Sequence, residues 1–220
     1  MSRPLFSGLV PSWVEIAETF HDTAESTRPE EVALVTRAVP ARRREFLLVR
    51  ECAHRALLAL GTPAPVIGRL PGGGPAWPAG VVGSLTHCRG FGAAAVAAAA
   101  YAIGVGIDAE PHQPLPHGVL EEITGAVEQA SLRRLHRSHP DRHWDRLLFC
   151  AKEAVYKVWS PLTERWLGFG DVVCELSPDG TFVVTIGAEQ DPPPDLAVLT
   201  GRWAVREGLA LTTLVLPTRS

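Results

Sequence analysis

The sequence predicts an α+β protein made of two similar helix-and-strand halves meeting near residue 104. Three observations carry that expectation. A helical pattern at 41–60 is followed by strand patterns, and a second helical pattern at 144–159 is followed by strand patterns again. Helices and strands segregated in this way belong to α+β architectures rather than to alternating βαβ units. With 46% hydrophobic and 20% charged residues among 220, the chain has enough apolar material for a packed core, which excludes wholesale disorder.

Each element has a local cause. Phe46, Val49, Ala53, Leu57 and Leu60 recur at helical spacing over Ala41–Leu60, and Gly61 with Pro63 supplies the stop. Residues 61–80, with Gly72-Gly73-Gly74-Pro75, are too rich in Gly and Pro for regular structure and read as a loop. Val81–Thr86 reads as a short strand closed by His87. The alanine run that follows favours helix by propensity. Its continuation, Ile103-Gly-Val-Gly-Ile107, looks like a buried strand, so two strands joined near Tyr101–Gly104 are expected.

Helical segments are expected across Val119–His136. A stronger helix spans Trp144–Trp159 and stops at Ser160-Pro161. Asp171–Leu176 and Thr181–Ile186 flank the turn signal Ser-Pro-Asp-Gly, and Gly201–Arg206 and Leu209–Leu216 flank Glu207-Gly208, predicting two hairpins with Pro192–Pro194 as a solvent loop between them.

Composition narrows function before any motif is considered. A formal charge of −3 argues against nucleic-acid or membrane-surface binding by bulk charge, leaving local basic patches open. Cys52, Cys88, Cys150 and Cys174 are scattered and read as reduced thiols of a cytoplasmic protein rather than disulfides or a zinc site. Met1–Phe6 lacks the apolar region of a signal peptide, and the uncharged stretch Gly90–Ile107 reads as core rather than a membrane span. His139 and His143 are four apart, but no third ligand lies at a zinc-binding spacing.

Of the 21 basic residues only Lys152 and Lys157 are lysine. In a chain that uses arginine wherever either serves, a retained lysine marks a place where a compact, proton-releasing point charge is needed. On the helix bearing both, Leu147, Leu148, Ala151, Ala154, Val155 and Val158 form one apolar arc. Glu153 and Lys157 lie opposite it, with Phe149, Tyr156 and Lys152 along a flank. Glu153 and Lys157 read either as a surface ion pair or as reacting groups.

Asp108 and Glu110 alternate along an apolar strand end, so both carboxylates share a face. They read either as two solvated acids or as hard oxygen ligands for Mg²⁺. Arg42-Arg43-Arg44 opens a helix, where positive charge opposes the macrodipole, and Arg50 follows eight residues on. That cluster is either a solvated face or an anion site. Arg69 adds a further cation, and His87 closes its strand as a capping, core or ligand-contacting residue.

Together these residues resemble the 4′-phosphopantetheinyl transferases of the larger, surfactin-synthetase-activating (Sfp-like) class, in its enterobactin-synthetase-component-D-like branch. The likeness rests on Gly106-Ile-Asp108-Ala-Glu110 and, with Glu153 45 residues after Asp108, on Phe149-Cys-Ala-Lys152-Glu153-Ala-Val-Tyr156-Lys157. Ser84-Leu-Thr-His87 and the arginine-rich helix with Val49-Arg50-Glu-Cys-Ala add to it. It covers roughly residues 38–216.

The resemblance implies a pseudo-twofold monomer of two similar α/β subdomains, 1–104 and 105–220, with coenzyme A in the cleft between them. The first subdomain would supply CoA phosphate and adenine contacts, and the second the metal and catalytic residues. It implies transfer of the phosphopantetheine arm of CoA to a serine of an apo acyl or peptidyl carrier protein, with adenosine 3′,5′-bisphosphate leaving. Asp108, Glu110 and Glu153 would hold Mg²⁺, with Mn²⁺ as the alternative. Arg42, Arg50, Arg69, His87, Lys152 and Lys157 would contact phosphates or the adenine end.

Glu153 is read as base and Lys157 as the group that stabilises or protonates the departing phosphate. Tyr156 and Phe149 would line the pantetheine channel. Trp159 and Trp166 read as core ahead of a docking surface for an acidic carrier. The rival expectations are a non-catalytic CoA- or carrier-binding module and a Mg²⁺-dependent nucleotide diphosphate hydrolase.

Overall fold

A computed structural model describes residues 3–20, 28–70 and 72–219. Met1 and Ser2, at the head of the segment read as lacking a leader, lie outside the described residues. The chain divides into two compact units, Met1–Ile107 with Val215–Ser220, and Asp108–Leu214.

In the first unit a 20-residue helix, α2 (Pro40–Ala59), lies on an antiparallel sheet of β1 (Glu15–Thr19), β5 (Phe91–Ala98) and β4 (Val81–Cys88), in the order β1-β5-β4. A one-turn helix α1 (Pro29–Ala33) precedes α2. Cys52, Ala53, Ala56 and Leu57 of α2 pack with Ile67, Ala94 and Val96 in the core. This packing explains why the alanine run is a strand despite its helical propensity. As the central strand beneath α2 it is buried along nearly its whole length, and small side chains let the helix approach. Gly92 is the extreme case, since a Cβ there would stand 2.8 Å from Leu48 Cδ2.

The two expected strands are β5 and β6 (Ala102–Pro111), joined at residues 99–101. The loop expectation for 61–80 needs one correction. Gly68–Arg69 (β2) and Pro75–Ala76 (β3) pair antiparallel, because the glycine run folds back tightly enough to bring them together. β1 and α1 carried no legible pattern and were not anticipated.

The second unit places α5 (Trp144–Thr163) against β7 (Val172–Leu176), β8 (Thr181–Ile186) and β9 (Val198–Arg206). With β6 and β10 (Leu209–Pro217) these form a five-stranded sheet in the order β6-β10-β9-β8-β7. Both expected hairpins form. Short helices α3 (Val119–Ile123) and α4 (Ala126–Ser138) precede α5. The six residues of the expected apolar arc on α5 are all buried.

The helix runs two residues past Pro161, contrary to the expected stop. In the last turn proline forfeits only one backbone bond, and the end falls at Glu164 (φ 56), whose N–H donates to Ser160 O at 2.9 Å. Trp159 is core as expected, whereas Trp166 is 75% exposed. Among the described residues no helix is long and apolar enough to cross a membrane.

Candidate active site

In the second unit, β6 delivers Asp108 and Glu110 to its C-terminal end, and α5 delivers Glu153 and Lys157. Lys157 reaches from the helix to the strand end. Its Nζ donates to Asp108 Oδ1 at 2.8 Å, with Asp108 almost fully buried. Burial, and then the Asp108 charge, push the Glu110 carboxyl up to about 7, with Arg146 and Lys157 opposing. Glu153 is raised for the same reasons in the same order, with Lys157 opposing. The Asp108 charge thus acts on Glu110 two residues along the strand and on Glu153 45 residues away in the chain.

Arg146 was not singled out from the sequence. Its guanidinium reaches Glu110 Oε2 at 3.4 Å and donates to Gln113 O and Pro114 O at 3.1 Å each, fixing the segment that leaves β6. A signal was available. Arg146, Glu153 and Lys157 are seven and four residues apart, a spacing that puts them on one helix face.

Lys152 stands elsewhere. Its ammonium is buried and donates to Ile123 O (2.6 Å), Phe169 O (2.9 Å) and Val172 O (3.3 Å), while Glu128 supplies carboxylate oxygens at 2.8 and 3.0 Å. These protein acceptors outnumber its three protons, so the phosphate contact expected for Lys152 is replaced by a structural one. Glu128 also escaped the sequence reading. The Gly125-x-x-Glu128 spacing, in which the Glu carboxylate accepts the Gly125 N–H at 3.0 Å at the start of α4, was its signal.

Beside this pair Glu153, Tyr156, Trp166, Leu167 and Phe169 line a groove. Tyr156 meets Trp166 edge-on at 5.3 Å between ring centroids, and Phe149 stacks on Phe169 at 5.7 Å.

In the first unit Arg42 donates to His87 Nε2 and, at 3.4 Å, to Glu45 Oε2, with Glu45 3.9 Å from His87. Glu45, three residues beyond Arg42, is a further member that the sequence did not single out. Arg50 is buried. Its Nη2 donates to Gly68 O at 3.1 Å and its guanidinium lies 4.6 Å over the Phe46 ring. Its Nε and Nη1 are buried without a hydrogen-bond partner among the described residues. Burial pulls its pKa down to about 10, Arg69 adding and Glu31 opposing. Arg69 is exposed and donates from Nε to Gly73 O at 3.2 Å.

Among the described residues no three His, Cys, Asp or Glu side chains are grouped as a finished metal site. The donor set of Asp108, Glu110 and Glu153 nonetheless fits a hard divalent cation. All its donors are carboxylate oxygens, the donor type such a cation takes, and burial first and the Asp108 charge second raise Glu110 and Glu153, a penalty on their charged forms that a cation would relieve.

The α+β frame thus sets paired acids at a strand end, tied by the Lys157–Asp108 bond to a helix that carries a further acid. Residues 30–97 match the family model of the 4′-phosphopantetheinyl transferase N-terminal domain, and residues 104–205 match that of the 4′-phosphopantetheinyl transferase superfamily. The chain is 47% identical over 209 residues to the 4′-phosphopantetheinyl transferase PptT of Mycobacterium tuberculosis, covering 91% of each. It is 46% identical to the 4′-phosphopantetheinyl transferase Svp of Streptomyces mobaraensis, covering 96% of this chain and 88% of that one. It is 42% identical to the 4′-phosphopantetheinyl transferase Npt of Nocardia iowensis, covering 94% and 97%. A crystal structure of Thermotoga maritima holo-[acyl-carrier-protein] synthase overlaps 54% of this chain and 65% of its own, at 24% identity and a TM-score of 0.37. The chain belongs to the 4′-phosphopantetheinyl transferase superfamily and is an enzyme of that class.

Proposed function

We propose that this enzyme moves the 4′-phosphopantetheine arm of coenzyme A onto a serine of an apo acyl or peptidyl carrier protein in a Mg²⁺-dependent reaction, releasing adenosine 3′,5′-bisphosphate. The observation that carries the reading is the 2.8 Å Lys157–Asp108 bond, which joins the helix bearing Glu153 to the strand end bearing Asp108 and Glu110; the Asp108 charge, second to burial, raises both glutamates.

Asp108, Glu110 and Glu153 would hold the metal, which when bound supplies positive charge against the pyrophosphate of CoA. Glu153 is the base. A carboxylate lifted above its ordinary range is better matched to taking a proton from a serine hydroxyl near neutral pH. The proton leaves serine for a Glu153 oxygen, the serine oxygen bonds to the pantetheine-side phosphorus, and the bond to the bisphosphate breaks. Lys157, oriented by Asp108, stabilises or protonates the departing phosphate.

Arg42, Arg50, Arg69 and His87 of the first unit take the phosphates or adenine end of CoA. The two unpartnered donors of buried Arg50 support an anion there, because such atoms are costly to leave unpaired. The groove beside Tyr156 and Trp166, with Phe149 behind Phe169, takes the pantetheine arm. The division of labour is thus a first unit for nucleotide contacts and a second for metal and catalysis. The enzyme acts as a cytoplasmic monomer.

The reading is tested by incubating the protein with CoA, Mg²⁺ and an apo carrier protein and weighing the carrier by mass spectrometry. A gain of one phosphopantetheine is expected. Glu153→Gln is expected to abolish it while leaving the circular dichroism spectrum unchanged. Nucleotide release without a carrier adduct would instead establish a hydrolase, and full activity of Glu153→Gln would remove its role as base.

A further inference from the structure

The buried Lys152–Glu128 pair has no part in the chemistry derived above, yet it is built from more bonds than any other ionic contact in the second unit. Glu128 is 3% exposed. One oxygen accepts the Cys174 N–H at 2.8 Å and lies 2.8 Å from Lys152 Nζ. The other accepts the Gly125 N–H at 3.0 Å and bonds Lys152 at 3.0 Å. Through Lys152 the same charge pair reaches the carbonyls of Ile123, Phe169 and Val172. Five segments therefore meet at one ion pair: the end of α3, the start of α4, the middle of α5, the 3-10 turn Phe169–Asp171, and β7.

Two of the carbonyls that Lys152 holds, those of Phe169 and Val172, belong to the wall of the groove that also contains Glu153, Tyr156 and Trp166. Other contacts also hold that wall: Phe169 stacks on Phe149, Trp166 meets Tyr156, Arg165 lies 4.8 Å over the Trp159 ring, and the Gly187 N–H donates to Asp171 O at 2.7 Å. Between the end of α5 and Phe169, Glu164, Arg165 and Trp166 are exposed, and only Leu167 is buried. Within the turn the Gly168 N–H donates to Asp171 Oδ2 at 2.7 Å and the Asp171 N–H to Gly168 O at 3.1 Å. A segment whose side chains are mostly exposed opens more readily unless polar anchors tie it to a rigid element, and the anchor that joins this wall to the middle of α5 is Lys152, one residue before the proposed base.

Lysine is the residue that such an anchor needs. An ammonium directs three protons outward from one point, whereas a planar guanidinium is too broad for acceptors packed round a single atom. A buried ion pair is weak evidence of a stability role, since hydrophobic pairs often serve as well, and that directs attention to specificity of shape.

We propose that Glu128, acting through Lys152, is a positioning residue that sets the width of the groove and thereby the enzyme's affinity for the pantetheine arm of its substrate. The inference rests on the groove's being the pantetheine site. Glu128 touches neither the nucleotide end nor the three proposed metal ligands, so its loss should separate two ligands that share adenosine 3′,5′-bisphosphate and differ in the arm.

The experiment measures dissociation constants of CoA and of adenosine 3′,5′-bisphosphate by isothermal titration for the wild type, Glu128→Gln, the paired Glu128→Leu/Lys152→Met variant and Tyr156→Ala. Glu128→Gln removes the counter-charge. The paired variant leaves no orphaned ion and so guards against simple failure to fold. Both are expected to weaken CoA by about tenfold or more and the bisphosphate by less than about twofold. The paired variant should show this while still melting cooperatively, at a lowered temperature because the backbone groups bonded by the pair lose those partners.

Equal loss for both ligands, or wild-type CoA affinity in a folded paired variant, overturns the proposal. Tyr156→Ala separates the inference from its premise. If it lowers CoA affinity selectively while the Glu128 variants do not, the positioning role fails and the groove assignment stands. If Tyr156→Ala leaves CoA affinity unchanged, the groove assignment fails and the inference falls with it.

Discussion

Lys157 Nζ lies 2.8 Å from Asp108 Oδ1, joining a helix to a strand end 49 residues away in sequence. This contact draws the ammonium from the helix toward the strand end. Lys157 bonds this acid while its side chain remains a quarter exposed.

Lys157→Arg should therefore retain the charge and lose the geometry. A guanidinium bonded to Asp108 spreads over a wider plane and does not release a proton, so the transfer rate should fall by about tenfold or more with little change in stability. Timed mass spectrometry of the carrier checks this, and near-normal turnover would remove the argument that lysine is required there.

Arg50 and the Arg42–His87 pair should differ in their effects on nucleotide binding. Arg50 is buried with two donors that have no partner among the described residues, so Arg50→Met should weaken adenosine 3′,5′-bisphosphate by about tenfold or more. His87 is already engaged with Arg42 and close to Glu45, and His87→Ala should cost less. Isothermal titration of the bisphosphate ranks them. The reverse order would place the anion at Arg42 instead.

The first unit should carry a pH-dependent stability from His54. Its Nε2 donates to the buried Glu31 Oε1 at 2.8 Å, and Glu31 also accepts the Ile67 N–H at 2.8 Å. Burial lowers the His54 pKa below its ordinary 6.5; Glu31 opposes, and Arg28 and Arg50 add. The unfolded chain then binds the proton more readily than the folded one. The contribution is complete above the unfolded pKa of about 6.5 and declines as pH falls through that value toward the folded one. Chemical denaturation at several pH values should show wild-type stability dropping below about pH 6.5 more steeply than that of His54→Gln. Parallel curves would exclude the effect.

Gly201 should be intolerant of any side chain. A Cβ there would stand 2.1 Å from Phe182 Cζ and 2.5 Å from Thr213 O, and the second of these is backbone and cannot yield cheaply. Gly201→Ala should destabilise the second unit by about 2–3 kcal/mol or more, measured as a lowered denaturation midpoint. An unchanged midpoint would show that the sheet relaxes there.

Much of this was legible in the residues alone because the signals are local. Helical spacing placed α2 and α5, turn chemistry placed both hairpins, and alternation on β6 put Asp108 and Glu110 on one face. The scarcity of lysine marked Lys152 and Lys157 as special without distinguishing them. Their roles diverge because one side chain enters a buried set of acceptors and the other leaves the helix toward a strand end.

That divergence belongs to tertiary structure, as do Arg146 behind Glu110, Glu128 behind Lys152 and Glu45 beside His87. Glu31 at the centre of a buried cluster is a further case. Periodicity along a chain says which face a side chain occupies. Only the packing of distant segments decides what it meets there, how far water is excluded, and hence whether a charge is a solvated ornament or a working group. The sequence by itself determined the fold class, the two hairpins and the acids and lysine that the chemistry needs. Folding decided their partners, because those partners lie tens of residues away and are selected by burial rather than by spacing.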